Sequence, residues 1–209
     1  HGISKSMFSG IPENKYTFIK THTHFNEKYE KIAELNKAKI IISLRDLRDM
    51  MISRYYHVLA DKTHWQHDAI KNLSFEKGFI KSINLKHKST EKSPIEYYYY
   101  WIEDWKKIAH EKKYLILWYE DFVRNPIKYI QDILDYINFK EFTPKDLYEK
   151  IKNKNESNLS NTLFKYGRAK STFRVGKINQ WKNKFNNEVN NSFNLSLPKS
   201  IKHILSPSE

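Results

Sequence analysis

Cysteine is missing from the 209 residues of this chain, which excludes disulfides and thiolate metal centres. Long apolar runs are missing too. Nothing approaches the roughly 18 consecutive apolar residues of a membrane span, and no signal peptide is visible, so we expect no membrane segment and a cytoplasmic setting. Internal repeats and low-complexity tracts are absent, and so is any dense block of basic residues. That last absence matters, because the chain carries a formal charge of +13. Such an excess would suit nucleic acid, but the lysines are spread along the whole length and no nucleic-acid-binding module can be read in it. No nucleic-acid partner is expected. A basic cleft that concentrates small anionic ligands accounts for the charge as well. With 39% hydrophobic residues the chain can bury a core, and it reads as a single domain over residues 1–209.

What the chain does have is an arginine where a strand hands over to a helix. Ile40, Ile41, Ile42 and Leu44 form a short, nearly continuous apolar run, suited to a parallel strand buried on both faces. Asp46 follows at an N-cap position, with Asp49 three residues on as a capping-box-like partner, and Met51, Tyr55 and Val58 recur at helical spacing. Ligands of open α/β sheets collect at the carboxyl ends of strands, and helix N-termini present free N–H groups to anions. Arg45 adds a planar fork of donors matched to phosphate oxygens, and Ser53 a hydroxyl about two turns into the helix. Taken alone, the segment fits equally well an arginine paired with a nearby carboxylate and a serine on a wet helix face.

Three further segments carry chemistry. Upstream, Phe18-Ile19-Lys20-Thr21-His22 sets an imidazole two residues after a lysine; imidazole titrates near neutrality and can take a proton from an attacking hydroxyl or amine. A plain surface histidine is the alternative. Metal sites built from His22 with His24, or from His64 with His67, lack carboxylate or cysteine companions at ligand spacing. In residues 114–122 an apolar run ends in Tyr119, Glu120 and Asp121. A helix then starts with Asn125 as cap and Pro126 in its first turn, lined on one face by Ile127, Ile130, Ile133, Leu134 and Ile137. On its own, Tyr119 reads as a core aromatic closing a strand. Between these segments Tyr98, Trp101, Ile102, Trp105 and Ile108 read as the core face of another helix. The last segment, residues 173–182, holds Arg174, Gly176, Trp181 and Lys182.

In this order and spacing, from about residue 16 to residue 185, the four segments resemble the sulfotransferase family. The resemblance implies an α/β fold with a largely parallel sheet flanked by helices, of the P-loop nucleotide-kinase-like kind. It also implies transfer of a sulfuryl group from 3′-phosphoadenosine 5′-phosphosulfate to a hydroxyl or amine, with adenosine 3′,5′-bisphosphate as product and no metal. Carried over residue by residue, His22 is the base that deprotonates the acceptor and Lys20 the cation near the transferring group. Arg45, Ser53, Arg174 and Gly176 hold the 3′-phosphate, and Tyr119 lies against the adenine. Val175 departs from the pattern, since the family has a lysine there; Lys177 is the nearest side chain to replace that contact.

The family also has a first strand and a lysine-bearing loop that grips the 5′-phosphosulfate, and this sequence has no match for them. Ser4-Lys5-Ser6 is the nearest candidate, but no apolar strand precedes it. With His1 rather than methionine at the start, we expect an N-terminally incomplete sulfotransferase-like domain. The rival is a non-catalytic nucleotide- or polyanion-binding protein of the same fold, supported by the missing loop. A small-molecule or glycan acceptor is implied, though residues 62–79, where acceptor-choosing loops would fall, show no readable code. Residues 183–191 do not reproduce the short dimer motif of some family members, which leaves the oligomeric state open. The least structured stretch is expected at residues 152–170, and the tail beyond Asn190, with Pro198 and Pro207, reads as a packing strand or loose end.

Overall fold

The apolar run becomes strand β1, Ile41–Leu44, and β2, Leu115–Trp118, lies parallel to it, with Ile42 opposite Ile116 and Leu44 opposite Trp118. Parallel pairing demands a long crossover. Four helices supply it: α2 Leu47–Ala60, α3 His67–Ile70, α4 Phe75–Asn84 and α5 Pro94–Lys112. The structure, a computed structural model, describes residues 4–9, 17–157 and 177–205. Before β1 stands α1, Glu27–Leu35; after β2 come α6 Tyr119–Arg124, α7 Pro126–Ile137 and α8 Pro144–Ser157. Two helices follow in residues 177–205, α9 Gln180–Lys184 and α10 Asn187–Ser196, then a 3₁₀ turn at Ile201–Ile204. The result is a helix-rich α/β fold around a small parallel sheet. Among the described residues no helix is long and apolar enough to cross a membrane.

Local chemistry places the helix starts. Asp46 caps α2 by accepting the Arg48 N–H at 2.8 Å. Ser93 and Glu96 form a reciprocal capping box on α5, with Pro94 in the first helical position. Asn125 accepts the Lys128 N–H at 3.1 Å ahead of Pro126, as its sequence signature predicts. Long-range packing does the rest. Helix α5 lies against both strands and against α2 and α4, burying Ile95, Tyr99 and Ile102 completely. On α2, Leu47, Met51, Ile52, Tyr55 and Val58 are buried. Each large apolar side chain so enclosed contributes about 1.5–3 kcal/mol relative to exposure. Helices α2 and α4 approach so closely at Gly78 that a Cβ there would stand 2.8 Å from the Tyr55 hydroxyl, which explains a glycine inside a helix.

Several expectations need correction. β1 is not buried on both faces: Ile42 and Leu44 are enclosed, but Ser43 is exposed. Residues 17–26 belong to no helix or strand. Ile127 is 38% exposed, because only Ile130 and Leu134 of the α7 stripe reach full burial against its neighbours. The first residues of the 152–170 stretch continue helix α8 to Ser157, and the remainder lies outside the described residues. Beyond Asn190 the chain stays helical to Ser196 instead of forming a strand. Asn186 caps that helix through the Val189 N–H, and Val189 and Phe193, four residues apart, bury one face against α4.

Candidate functional site

Arg45 occupies the loop between β1 and α2. Its guanidinium lies 4.7 Å from the centre of the Tyr119 ring, and its Nη2 donates to the Lys177 carbonyl at 2.9 Å. Tyr119 comes from the first position of α6, directly after β2, so the parallel register of the two strands brings the two residues together. Two buried carboxylates flank the arginine. Asp49, wholly buried, has its Oδ2 3.7 Å from Arg45 Nη2. Its Oδ1 accepts the Trp181 N–H at 3.0 Å. Glu120, 1% exposed, accepts the Asp46 N–H at 3.2 Å. Burial pushes both carboxyls above their ordinary range, opposed for Asp49 first by the Trp181 N–H and then by Arg45.

The surroundings are aromatic and cationic. Arg48, bonded to both oxygens of Asp46, lies 3.8 Å from the centre of the Trp181 ring. Among the described residues, Arg45 Nε, Asp49 Oδ2, Glu120 Oε2 and Trp181 Nε1 are buried without a hydrogen-bond partner. Unsatisfied polar atoms are costly in a protein interior. The donors among them, Arg45 Nε and Trp181 Nε1, and the Arg45 guanidinium beside the Tyr119 ring suit an anionic guest at the carboxyl end of a strand, while the carboxylates of Asp49 and Glu120 offset the arginine's charge. Ser53 is half-buried on α2. Asp49 does not complete a capping box with Asp46, because its carboxylate is taken by the 177–181 segment. The main-chain oxygen of Lys177, not its exposed ammonium, meets Arg45. Arg174 and Gly176 lie outside the described residues.

Lys20 and His22 take part in a second feature. They line an open cavity of ≈ 550 Å³ together with Thr21, Thr23, His24, Phe25, Asn26, Tyr29 and Tyr97; its lining includes neither Arg45 nor Tyr119. Lys20 and His22 are exposed. The segment is hooked to α5 at one atom, the Thr23 carbonyl, which accepts from Trp101 Nε1 at 2.8 Å and from Trp105 Nε1 at 3.1 Å. His24 stands edge-on to Tyr97 with ring centres 4.3 Å apart, and 3.9 Å from Asp104. Its burial lowers its affinity for a proton, with Asp104 opposing. The indole pair escaped the sequence reading. The four-residue spacing of Trp101 and Trp105 announces a shared helix face, but nothing local names the carbonyl they hold.

This chain matches the sulfotransferase domain over residues 8–202, and it belongs to that family. It is 26% identical over 208 residues to the flavonol 3-sulfotransferase of Flaveria bidentis, covering 86% of this chain and 61% of that protein. To sulfotransferase 2A6 of Mus musculus it is 25% identical over 194 residues, covering 87% and 63%. Thus the chain spans about three-fifths of the length of these relatives. Two solved structures share the fold: mouse sulfotransferase SULT7A1 complexed with PAP, at TM-score 0.67 and 17% identity, covering 91% of this chain and 67% of that one. The other is retinol dehydratase in complex with androsterone and inactive cofactor PAP, at TM-score 0.65 and 18% identity, covering 98% and 59%.

Proposed function

We propose that this chain serves sulfuryl transfer from 3′-phosphoadenosine 5′-phosphosulfate to the hydroxyl or amine of a small-molecule acceptor. The observation that carries the reading is Arg45, held at the carboxyl end of β1 by the Lys177 carbonyl and stacked on Tyr119. A planar cation beside an aromatic face matches a ligand that joins a phosphate to an adenine. In this scheme Arg45, Ser53, Arg174 and Gly176 bind the 3′-phosphate and Tyr119 lies against the base. The relatives whose structures contain PAP support a bisphosphorylated nucleotide here.

The transfer requires the acceptor heteroatom to attack sulfur as the bond from sulfur to the 5′-phosphate oxygen breaks. An imidazole nitrogen of His22 takes the acceptor proton, and the Lys20 ammonium offsets charge on the sulfuryl oxygens. The electron pair of the broken bond leaves with adenosine 3′,5′-bisphosphate. Alignment and electrostatics are the main catalytic effects in such transfers. No step in this scheme calls for a metal. A cavity of ≈ 550 Å³ beside His22 is of the size that encloses a small molecule. Its Phe25, Tyr29 and Tyr97 rings offer apolar contact, and Thr21, Thr23 and Asn26 offer hydrogen bonds.

A thermal-shift titration of the 209-residue chain tests the reading, with adenosine 3′,5′-bisphosphate as ligand and adenosine 5′-monophosphate and heparin as controls. Ligand at 100 times its Kd should add about 2.7 kcal/mol of stability. Selective stabilisation by the bisphosphate is the expected result. Equal shifts from all three, collapsing as salt is raised, would replace the proposal with a basic polyanion-binding protein.

A further inference from the structure

Asp49 is a fully buried carboxylate to which the proposed reaction gives no part. It sits one turn into α2, yet its hydrogen bond reaches across the chain to the Trp181 N–H, and the Asn179 main chain also favours its charged form. Four residues before it in α2's entry, Arg45 donates to the Lys177 carbonyl. One residue before it, Arg48 lies over the Trp181 ring at 3.8 Å. Three successive features of the strand–helix junction therefore seize one short segment, residues 177–181, at a carbonyl, a ring and an amide. Of these contacts, the bond to Asp49 has a buried charge as its acceptor, and charge-assisted hydrogen bonds are the stronger kind.

We propose that Asp49 is a positioning residue: it clips residues 177–181 to the start of α2 and so holds the Arg45 guanidinium in the orientation that receives the 3′-phosphate. The clip acts at both ends of the arginine's environment. Through Trp181 it fixes the segment whose Lys177 carbonyl takes one Arg45 N–H. From 3.7 Å its Oδ2 faces the same guanidinium. That separation exceeds a hydrogen bond, so Asp49 orients the arginine without occupying it. The inference rests on the nucleotide reading above, since it names the anion that Arg45 awaits.

The test is calorimetric titration of adenosine 3′,5′-bisphosphate and of adenosine 5′-monophosphate into the intact chain and its Asp49 variants, with exchange of the Trp181 amide followed by NMR. Asp49→Ala removes the acceptor. The Trp181 amide should exchange at least about tenfold faster, and bisphosphate affinity should fall about tenfold, while the monophosphate changes less than about threefold. Asp49→Asn keeps an acceptor oxygen in place and should restore bisphosphate affinity to within about threefold of the parent chain. Should Asp49→Ala not fold, Asp49→Glu takes its place; it keeps the charge but displaces the acceptor, and should bind as poorly as the alanine variant would.

Faster amide exchange with unchanged bisphosphate affinity would overturn the proposal, because the clip would then be structural only. A glutamate variant that binds normally, or an asparagine variant that does not, would overturn it in favour of simple charge balance at Arg45. A parent chain that does not distinguish the two nucleotides would fail the underlying nucleotide reading, whatever Asp49 does, and the inference with it.

Discussion

Around Arg45 the charged groups are buried, and each is tied into the fold: Asp46 by Arg48, Asp49 by Trp181, Glu120 by the Asp46 amide. Around His22 the chain is exposed, follows no regular element and is hooked to α5 through the Thr23 carbonyl. On the proposed function, binding and chemistry fall to different kinds of structure. A nucleotide-sized anion gains affinity from a site that needs no reordering when it arrives. An acceptor that varies in shape is served better by a segment that can shift, because loops tolerate change where strands and helices do not. The two regions should therefore fail separately when they are mutated.

The largest separation should come from His22→Ala. Loss of a general base lowers turnover by about 10²–10⁴-fold, whereas bisphosphate affinity by calorimetry should stay within a factor of about two. Weakened binding at unchanged turnover would remove the base assignment. Arg45→Ala is the converse. Losing charge-assisted hydrogen bonds to phosphate costs about 1.5–3 kcal/mol, so adenosine 3′,5′-bisphosphate should bind roughly 10–100-fold more weakly. Adenosine 5′-phosphosulfate, which has no 3′-phosphate, should be little affected; equal losses for both ligands would mean that Arg45 does not read that phosphate.

Next in size is the hook. Trp101→Phe with Trp105→Phe keeps ring packing but leaves the Thr23 carbonyl without its two indole donors, at a cost of about 1–3 kcal/mol. Amide exchange in residues 20–25 should rise and turnover fall, with nucleotide affinity unchanged; a parallel loss of affinity would show that the two regions are coupled. Ser93→Ala, which removes the α5 cap one turn before Tyr97, should cost about 1 kcal/mol, or about 2–4 °C in Tm for a chain of this size, and leave nucleotide affinity unchanged.

The smallest effect is a pH dependence. Burial raises the folded pKa of Asp49 above its ordinary 3.8, so the folded chain holds that proton more tightly than the unfolded one. Its contribution to stability is present below pH 3.8 and declines as pH rises towards the folded value. Asp49→Asn removes this titration, so the parent chain should lose stability relative to the variant as pH climbs out of that range. An opposite trend in urea denaturation would show that the paired, charged form is the favoured one.

Much of the fold was legible where the controlling chemistry is local. The strand at Ile41–Leu44, the Asp46 cap and the Asn125-Pro126 start each depend on neighbours a few residues away, and each forms where its sequence predicts, although Ser43 leaves one face of the strand exposed. Misreadings arose where a distant surface decided. The tail after Asn190 is helical because Val189 and Phe193 find α4. Asp49 shows the same division within one residue. Its place in the first turn of α2 could be read from the cap, but its partner could not.

By itself the sequence determined the family, through four short segments in a fixed order, and it determined the strand-to-helix junction that exposes Arg45, because caps and short apolar runs act over a few residues. Only the tertiary structure decided that Asp49 closes on Trp181, that Tyr119 stacks on Arg45, and that two indoles share the Thr23 carbonyl. Those contacts join residues 132, 74, 78 and 82 positions apart. Contacts at such separations form when packing excludes water from the groups concerned, and no local pattern of residues encodes which distant carbonyl or amide will be there to meet them.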